Sequence, residues 1–524
     1  MSSMEAIKFP IKVVSLLWKT VLENGWFESL VLLILITISA VAELFSRILS
    51  PLIRIFPYDS FSSLVNILDP AFQLDKAVRE SFPNVQDAGS KSNLVLAALS
   101  SALAYENLDK IRKVITADWQ MAWFAGYNFL PSGSRALLFH ASNPSTGEQA
   151  VVLTFKGTEP FFLRDWLVDG RTEMYRHRPT KEHPEWETLG AMHRGFLFAL
   201  GLVDRPKSDP STSPRFQPSV VILDQFGQTR SVSGALPYDR LKLDLTQILT
   251  DNPAAQLLIT GHSLGGALAV LFTAHILADV TIPSNPVAPP LGTVKPLKVV
   301  KPGDNHFWFS RLGGLYTFGQ PRVGDVRFAV FMEQLNADVD RLLYFRFVHN
   351  DDVVPRLPPA TPRMYQHVQP LLYITEFGSI TGAMEQPPLI LFKLIIDGVF
   401  KPFVSGWLGL ILAAIVYPGA LLAGLATGLL FGVIGWMIAP VAFVLGAVLG
   451  GGGAFLALSI LTVIVSDHFM HDYKREIRGL KVDTVGIDTH QVKSPLGAAL
   501  DKVCTPMFAS NPSTPNAAVP KKFV

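Results

Sequence analysis

The chain contains 524 residues, 49% of them hydrophobic and only 17% charged, and its formal net charge at pH 7 is +2. A charge this close to zero gives no electrostatic reason to expect a nucleic-acid partner, and no glycine-rich phosphate loop of the P-loop or dinucleotide type occurs in the sequence. The single cysteine, Cys504, excludes a disulfide framework and a cysteine-based metal site, and one free thiol fits a reducing, cytosol-facing location.

The N-terminal region includes an apolar run at positions 30–42. Residues 40–42 resemble a signal-peptidase site, but 29 residues precede the run and their lysines are balanced by glutamates, unlike a signal peptide. The run is shorter than the ~20 residues that a membrane span needs. Together with the surrounding aromatic residues it predicts an interfacial or shallowly inserted helix in a membrane-associated region, residues 1–60. A buried helix of the soluble domain is the alternative.

Residues 60–150 are predicted to be rich in helices, because "SNLVLAALSSALAYENLDKIRKVI" places apolar residues at helical spacing with few breakers. The following "QAVVLTFKGTEP" predicts a buried strand that runs into a glycine turn. A proline- and serine-rich stretch at 204–219 predicts an exposed insertion, and a second proline-rich loop is predicted at 282–303.

Between these two loops the sequence predicts a helix, a strand and another helix. Residues 238–253 show an amphipathic helical pattern, 256–260 a short buried strand and 265–280 an apolar helix. Further on, "GGLYTFGQPRVGD" and "LLYFRFVHNDDVVPRLPP" add two strand-then-loop units. Strands that alternate with helices predict an α/β fold with a mostly parallel sheet.

A long apolar segment follows at 402–466, where 65 residues contain no Asp, Glu, Lys, Arg or His. At ~20 residues per span, the segment has room for two membrane spans or one re-entrant hairpin, with bends favoured at Pro418, Pro440 and the glycines 450–453. A hairpin buried wholly in protein is the alternative. Four titratable residues appear directly after the segment: Asp467, His468, His471 and Asp472.

The strongest chemical motif is "ITGHSLGGAL", in which residues 261–265 fit Gly-x-Ser-x-Gly between a predicted strand and a predicted helix. Ser263 must occupy a tight turn for its hydroxyl to project above the sheet, and Gly261 and Gly265 carry no Cβ that would collide with the facing backbone. The backbone N–H of Leu264, at the helix N-terminus, is placed to bind an oxyanion. An ordinary glycine-rich turn is the alternative interpretation.

Several motifs occur in one order: "FKGTEP", "MHRGF", "GHSLGGAL", "YTFGQPRVGD" and "FRFVHNDDVVPRLP". With "ALAYEN" upstream, they resemble the class 3 (fungal-type) triacylglycerol lipases, and in particular the plant oil-body lipase branch. The resemblance covers roughly residues 90–375 and 466–478. It implies an α/β-hydrolase fold and a Ser-Asp-His triad of the kind that serine esterases use.

The resemblance implies that the acid precedes a hydrophobic-Val-Pro stretch, which makes Asp352 the acid; Asp351, otherwise a solvated loop charge, is the alternative. The base is implied late in the chain with a tyrosine a few residues on, and His468 followed by Tyr473 fits; His471 is the alternative. Other histidines are interpreted as structural, His262 at the turn and three elsewhere: His193, His275 and His367.

The second oxyanion donor is implied to be Thr158 of "FKGTEP", through its backbone N–H; a simple turn cap is the alternative. The next stretch, 161–175, occupies the position of a mobile lid in the family, and an ordinary amphipathic surface helix is the alternative. Its candidate lid residues are Phe161, Phe162, Leu163, Trp166 and Leu167. A lid that is apolar underneath covers the site in water and can turn toward a lipid surface.

These predictions divide the chain into five parts. They are a membrane-associated region (1–60), a first lipase part (61–385), an inserted hydrophobic segment (386–465), a closing lipase part with the base (466–495) and a tail (496–524). The predicted function is hydrolysis of acylglycerol esters at a lipid-droplet or endoplasmic-reticulum membrane surface facing the cytosol, without a cofactor or metal. The alternatives are a phospholipase A1 or galactolipase of the same fold, and a non-catalytic lipid-droplet protein.

Overall fold

The computed structural model describes residues 66, 69, 71–130, 132–157, 173–177, 186, 189–203, 219–278, 306–333, 343–358, 365–369, 371–375, 379–383, 386, 467–468 and 470–480. The predicted membrane-associated region, the apolar segment, residues 161–172 of the candidate lid stretch and the tail lie outside these residues, as do most of the two proline-rich loops. Among the described helices, none combines the length and the apolar character needed to cross a membrane.

A ten-stranded sheet forms the centre of the molecule, with the strand order β12-β11-β10-β9-β8-β3-β2-β1-β6-β7. The short strands β4 and β5 form a separate pair. The strands are β1 Ala122–Leu130, β2 Arg135–Ser142, β3 Gln149–Lys156, β4 Met174–Arg176, β5 Ala191–His193, β6 Ser219–Asp224, β7 Thr229–Ser233, β8 Ala255–His262, β9 Leu312–Phe318, β10 Tyr344–His349, β11 Leu371–Ile374 and β12 Ile380–Ala383.

The middle of the sheet is parallel and its flanks are antiparallel. Strands β3, β8, β9, β10 and β11 pair in parallel, whereas β2, β1, β6 and β7 on one side and β12 on the other pair antiparallel. Every residue of β8, β9 and β10 is buried, as expected of parallel strands covered on both faces. The topology is that of an α/β-hydrolase sheet, and the predicted fold class is confirmed.

The prediction of a helix-rich region over 60–150 is correct up to Asp118 and wrong beyond it, because β1 and β2 form a hairpin there. The connection between the two strands contains Ser132 and Gly133, and Gly133 has a φ of 70°. A proline-serine-glycine turn between two runs rich in aromatic and aliphatic residues is a hairpin signal. The β-propensity of "AWFAGYNFL" therefore outweighs the weak helical periodicity in this part of the chain.

Helices cover both faces of the sheet and enclose two hydrophobic cores. The helix after the serine turn, α6, lies in one core, and a nearly fully buried helix near the start of the domain, α2, lies in the other. The helices are α1 Lys76–Ser81, α2 Lys91–Leu103, α3 Leu108–Lys113, α4 Arg194–Ala199, α5 Pro237–Asp251, α6 Leu264–Ala278, α7 His306–Arg311, α8 Val326–Glu333 and α9 Met470–Arg478. A π-helical turn spans Val114–Asp118 and a 3-10 turn spans Val354–Arg356.

The last helix, α9, packs against α2 and so joins the closing part of the chain to the domain. The buried Lys474 of α9 donates a 2.6 Å hydrogen bond to the carbonyl oxygen of Asp69 and forms a 2.8 Å ion pair with the Asp69 carboxylate. Lys91 of α2 donates to the carbonyl oxygen of Leu480. These contacts fix the segment that begins at Asp467 against the rest of the fold.

Candidate active site

The turn that carries Ser263 lies between the end of β8 and the start of α6. Ser263 has a φ of 58°, a left-handed conformation that costs a non-glycine residue about 1–3 kcal/mol. A 2.9 Å hydrogen bond from Ser263 N–H to the carbonyl oxygen of Phe318, at the end of the neighbouring strand β9, stabilises this strained conformation. A Cβ on Gly261 would collide with the carbonyl oxygen of Gly265, and one on Gly265 would collide with that of Phe155. The steric reasoning behind the motif therefore applies here.

Asp352 follows β10 by three residues and is completely buried. Its backbone N–H donates to the His349 carbonyl oxygen (2.9 Å), and its own Oδ1 accepts a 2.9 Å hydrogen bond from Val354 N–H. The carboxylate is therefore held at the carboxyl end of a parallel strand, the edge at which α/β sheets place their sites.

His468 contacts this carboxylate through Nδ1, which lies 3.0 Å from Asp352 Oδ1 and 2.9 Å from Oδ2. A carboxylate oxygen accepts hydrogen bonds, so that Nδ1 is the donor of this pair and, in the neutral form of the imidazole, Nε2 is the acceptor. His468 Nε2 has no hydrogen-bond partner within the described part of the chain. A ring in this tautomer and with this nitrogen unpartnered can accept a proton from a serine hydroxyl.

His262 joins the serine turn to the histidine. Its Nε2 lies 2.8 Å from the carbonyl oxygen of His468, its Nδ1 lies 2.8 Å from the Tyr105 hydroxyl, and the two imidazole centroids are 4.5 Å apart. Nε2 donates to the carbonyl, so Nδ1 accepts from Tyr105. Burial, and then repulsion from the protonated form of His468, holds the pKa of His262 well below its usual value. The ring therefore stays neutral near pH 7 and positions the His468 backbone.

Tyr473 holds the other side of the carboxylate. Its hydroxyl donates a 2.7 Å hydrogen bond to Asp352 Oδ2 and accepts a 3.0 Å hydrogen bond from His349 N–H. Burial, and then the nearby Asp352 carboxylate, raises the pKa of the Tyr473 hydroxyl well above its usual value, so that it remains a donor. Sequence reasoning used Tyr473 only as a marker for the base; its spacing from His468 carried no sign of this contact.

Gly319 allows the histidine–aspartate pair to approach the end of β9. It has a φ of 57°, and a Cβ at this position would lie 2.7 Å from Asp352 Oδ2 and 2.9 Å from His468 Nδ1. A side chain here would displace one of the two groups. This contact gives a physical reason for glycine in the "YTFGQPRVGD" motif, which sequence reasoning used only as a family marker.

The alternatives for acid and base lie elsewhere. Asp351 is placed by its backbone N–H, which donates to Asp467 Oδ2 at 3.2 Å. His471 lies on α9, where its partly exposed ring pairs with Asp472 Oδ1 at 3.3 Å. The structure thus brings Asp352 and His468 together, whereas Asp351 and His471 contact other groups.

The three other histidines that we predicted to be structural each contact another group of the protein. His193 caps α4, its Nδ1 accepting from Phe196 N–H. His367 Nε2 contacts the Pro355 carbonyl oxygen, and burial lowers the pKa of His367 well below its usual value. His275 is fully buried in α6 and its Nε2 lies 3.1 Å from that of His177.

The candidate oxyanion donors are described only in part. Leu264 is the first residue of α6, where the first backbone N–H groups have no acceptor within the helix. Thr158 and the five candidate lid residues lie outside the described residues. Gly157, which precedes Thr158, is described, and a Cβ on it would lie 3.2 Å from the Cβ of Ser263. The loop after β3 therefore starts next to the serine.

Both ends of the predicted insertion contact the loop of the acid, which sequence reasoning did not foresee. Gln386 Nε2 donates to the carbonyl oxygens of Asn350 (3.1 Å) and Asp352 (2.8 Å). On the return, Asp467 Oδ2 accepts from Asn350 Nδ2 (3.0 Å) and from Asp351 N–H. The chain therefore leaves and re-enters the described fold at one place.

A serine on a strained strand-to-helix turn, whose neighbour His262 contacts a histidine held by a buried aspartate, is the arrangement of the serine hydrolases. Within the chain, residues 152–361 match the family described as lipase (class 3). The resemblance to class 3 lipases that the motifs indicated is confirmed.

Two relatives and one solved structure show the extent of the similarity. The chain is 30% identical over 315 residues to triacylglycerol lipase OBL1 of Arabidopsis thaliana, covering 57% of this chain and 52% of that one. It is 28% identical over 283 residues to triacylglycerol lipase OBL1 of Ricinus communis, covering 52% and 47%. The chain thus spans about half the length of the relatives it matches. The structure of Rhizomucor miehei triacylglyceride lipase aligns at 20% identity, covering 55% of this chain and 82% of that one, with a TM-score of 0.35.

Proposed function

We propose that the protein is a serine-hydrolase lipase that cleaves acylglycerol esters, triacylglycerol included, through an acyl-enzyme. The observation that carries this proposal is the hydrogen bonding of the His468 ring. Its Nδ1 is committed to both oxygens of a buried Asp352 and its Nε2 has no partner in the described structure, while His262 ties it to the turn of Ser263.

The proposed reaction uses these groups in sequence. As Ser263 Oγ attacks the ester carbonyl carbon, His468 Nε2 takes its proton and Asp352 stabilises the imidazolium that forms. The backbone N–H groups of Leu264 and Thr158 would bind the negatively charged oxygen of the tetrahedral intermediate. The imidazolium then protonates the departing glycerol oxygen, which leaves an acyl group on Ser263. A water molecule, deprotonated by His468, hydrolyses this ester and restores the serine.

The names of the relatives and the apolar sequences support a lipid substrate at a surface. Two relatives at 28–30% identity are named triacylglycerol lipases. In this chain the region 1–60 and the segment 386–465 would anchor the protein to a lipid droplet or to the endoplasmic-reticulum membrane, with the catalytic part facing the cytosol. The apolar residues of 161–167 would meet the lipid when the lid opens. Phospholipids and galactolipids are the competing substrates, because the same three side chains hydrolyse any of these esters.

A purified-protein assay on triolein, diolein and phosphatidylcholine emulsions tests this proposal. The activity of the Ser263→Ala variant should be lower than that of the wild type by several powers of ten on every ester, because the Ser263 oxygen alone forms the covalent intermediate. A fluorophosphonate probe should label the wild type and not the variant. If the variant retains activity near that of the wild type, the protein is not a hydrolase of this kind. Activity confined to phosphatidylcholine would instead make it a phospholipase.

A further inference from the structure

A second cluster of titratable side chains lies next to the proposed acid and takes no part in the reaction described above. It consists of His349, Asp467 and Asp472, and one ligand atom from each lies within 4.8 Å of the others. The three residues are 2%, 0% and 8% exposed. The sequence analysis predicted no metal.

His349 is the last residue of β10, and its ring is buried without a hydrogen bond. Neither Nδ1 nor Nε2 has a hydrogen-bond partner in the part of the chain that the structure describes. Buried side-chain nitrogens are normally satisfied. Nδ1 points at Asp467 Oδ1 from 3.8 Å, a separation too long for a hydrogen bond but open to an ion that binds both atoms.

Asp467 presents the matching oxygen. Its Oδ2 accepts hydrogen bonds from two neutral donors, the Asn350 side-chain amide (3.0 Å) and the backbone N–H of Asp351 (3.2 Å). These bonds fix the plane of the carboxylate, so that Oδ1 lies on the side of His349. Metal-binding carboxylates are commonly oriented by such outer contacts.

Asp472, near the start of α9, supplies the third group. Its Oδ1 pairs with Arg475 Nη1 at 2.8 Å and with His471 Nδ1 at 3.3 Å. A carboxylate offers two oxygens with about four lone-pair sites, so that it can keep these partners and also bind an ion.

We propose that His349, Asp467 and Asp472 bind one divalent transition-metal ion, for which zinc is the best-matched probe. One imidazole nitrogen and two carboxylate oxygens suit Zn²⁺, with a water in the fourth position, whereas Ca²⁺ and Mg²⁺ prefer ligand sets made of oxygen alone. Ligand atoms around tetrahedral zinc are about 3.4 Å apart, so the His349–Asp467 pair must close by only about 0.4 Å.

The ion would connect two segments that carry the proposed acid and base. Three residues separate His349 from Asp352, and Asp467 directly precedes His468. None of the three proposed ligands belongs to the Ser263–Asp352–His468 set; zinc would fasten the chain that returns from the apolar segment to the end of β10. Bound zinc should therefore raise the resistance of the protein to unfolding, in proportion to its concentration relative to the dissociation constant.

Metal content and thermal unfolding of the full-length chain in detergent test the proposal. Protein stripped with a chelator is incubated with zinc chloride, desalted, and analysed by mass spectrometry for bound metal. We expect one zinc per chain and a Tm that rises with zinc. His349→Gln and Asp472→Asn should each weaken zinc binding by roughly a hundredfold or more, beyond the 10- to 100-fold that outer contacts are worth, and remove the zinc-dependent rise.

His471→Gln is the matched control, because His471 neighbours Asp472 but lies on its partly exposed side. It should keep the zinc. Loss of zinc in His471→Gln with retention in His349→Gln would move the ion to the surface and overturn the proposal. So would a wild type that holds no more zinc than the His349→Gln variant, or one that retains calcium and not zinc. If His349→Gln does not fold, Asp472→Asn decides the matter alone.

Discussion

The Nε2 of His262 lies 2.8 Å from the carbonyl oxygen of His468, so that the residue before the proposed nucleophile holds the backbone of the proposed base. The two positions are 206 residues apart in the chain. In the sequence, the apolar segment lies between the proposed acid, Asp352, and this histidine. The geometry of the site therefore depends on how well the returning chain docks on the serine turn.

We expect His262→Leu to lower kcat by about a hundredfold with little change in KM, because a displacement of about 1 Å at a reacting group costs that much. The variant loses the hydrogen bond to the His468 carbonyl oxygen and the hydrogen bond with the Tyr105 hydroxyl. Tyr105→Phe is the control, since it removes only the outer hydrogen bond of the same ring and should have a smaller effect. Steady-state kinetics on a soluble ester separate the two. Equal effects of both variants would show that His262 does not act through His468.

His468→Ala should lower activity by several powers of ten, as the loss of Ser263 would, because the members of such a set act as a unit. His471→Ala is the matched variant: the same residue type, three positions later, paired with Asp472 and partly exposed. It should keep activity within a few-fold of the wild type, measured on the same ester. An inactive His471→Ala beside an active His468→Ala would mean that the base has been assigned to the wrong residue.

Tyr473→Phe should reduce both stability and activity. It removes the donor to Asp352 and leaves the buried His349 N–H unpaired, at a cost of about 1–3 kcal/mol in the free energy of unfolding. Because one oxygen of the acid is also left less constrained, kcat should fall as well, by about tenfold per 1.4 kcal/mol of lost transition-state stabilisation.

Tyr127→Phe provides the control for this change. Tyr127 is also buried and donates a 2.8 Å hydrogen bond to the carboxylate of Asp244. It lies on β1, well separated in the strand order from β10, which leads into the proposed acid loop. It should lose comparable stability in urea unfolding and leave kcat unchanged. If both tyrosine variants reduce kcat to the same extent, the effect of Tyr473 is one of stability alone.

The short motif around Ser263 was enough to predict the turn that holds this serine. The turn around Ser263 needs glycines that lie two residues away on each side, and a short motif contains this information. The pairing of Asp352 with His468 came instead from the resemblance to a family, because 116 residues separate the two and no spacing rule joins them. The hydrogen bonds of Tyr473 to Asp352 and of His262 to His468 were missed for the same reason: each forms only when the last helix has docked.

The error over 122–142 has a different cause. The helical pattern occurs at 92–115 and was extended over the residues that follow, where the neighbouring strands β3 and β6 supply backbone partners on both sides of the β1–β2 hairpin. Propensity over a short window cannot represent such partners. The turn at Gly133 was the available local signal.

Replacing residues 402–465 with a short Gly/Ser linker should leave a folded, soluble enzyme that has lost its attachment to lipid. Gln386 and Asp467, the described residues on either side of the segment, both contact Asn350, so the described chain before the segment and the described chain after it lie close together. Closing a flexible connection costs only ~0.6 kcal/mol more for each doubling of its length, and the linker needs no fine adjustment. The N-terminal region 1–60 can retain some lipid binding, so a second variant lacking both is the cleaner test.

Two measurements on this deletion separate anchoring from catalysis: flotation with lipid droplets or vesicles, and hydrolysis of a water-soluble p-nitrophenyl butyrate-type ester. We expect flotation and the rate on emulsified triacylglycerol to be lost while the small ester is still cleaved. Ser263→Ala in the same background controls for contaminating esterases. Undiminished flotation of the double deletion would show that neither apolar region is the anchor. A folded deletion variant that fails on the small ester would show that the segment shapes the site itself, through Gln386 and Asp467, which flank it and hydrogen-bond to the loop that carries Asp352.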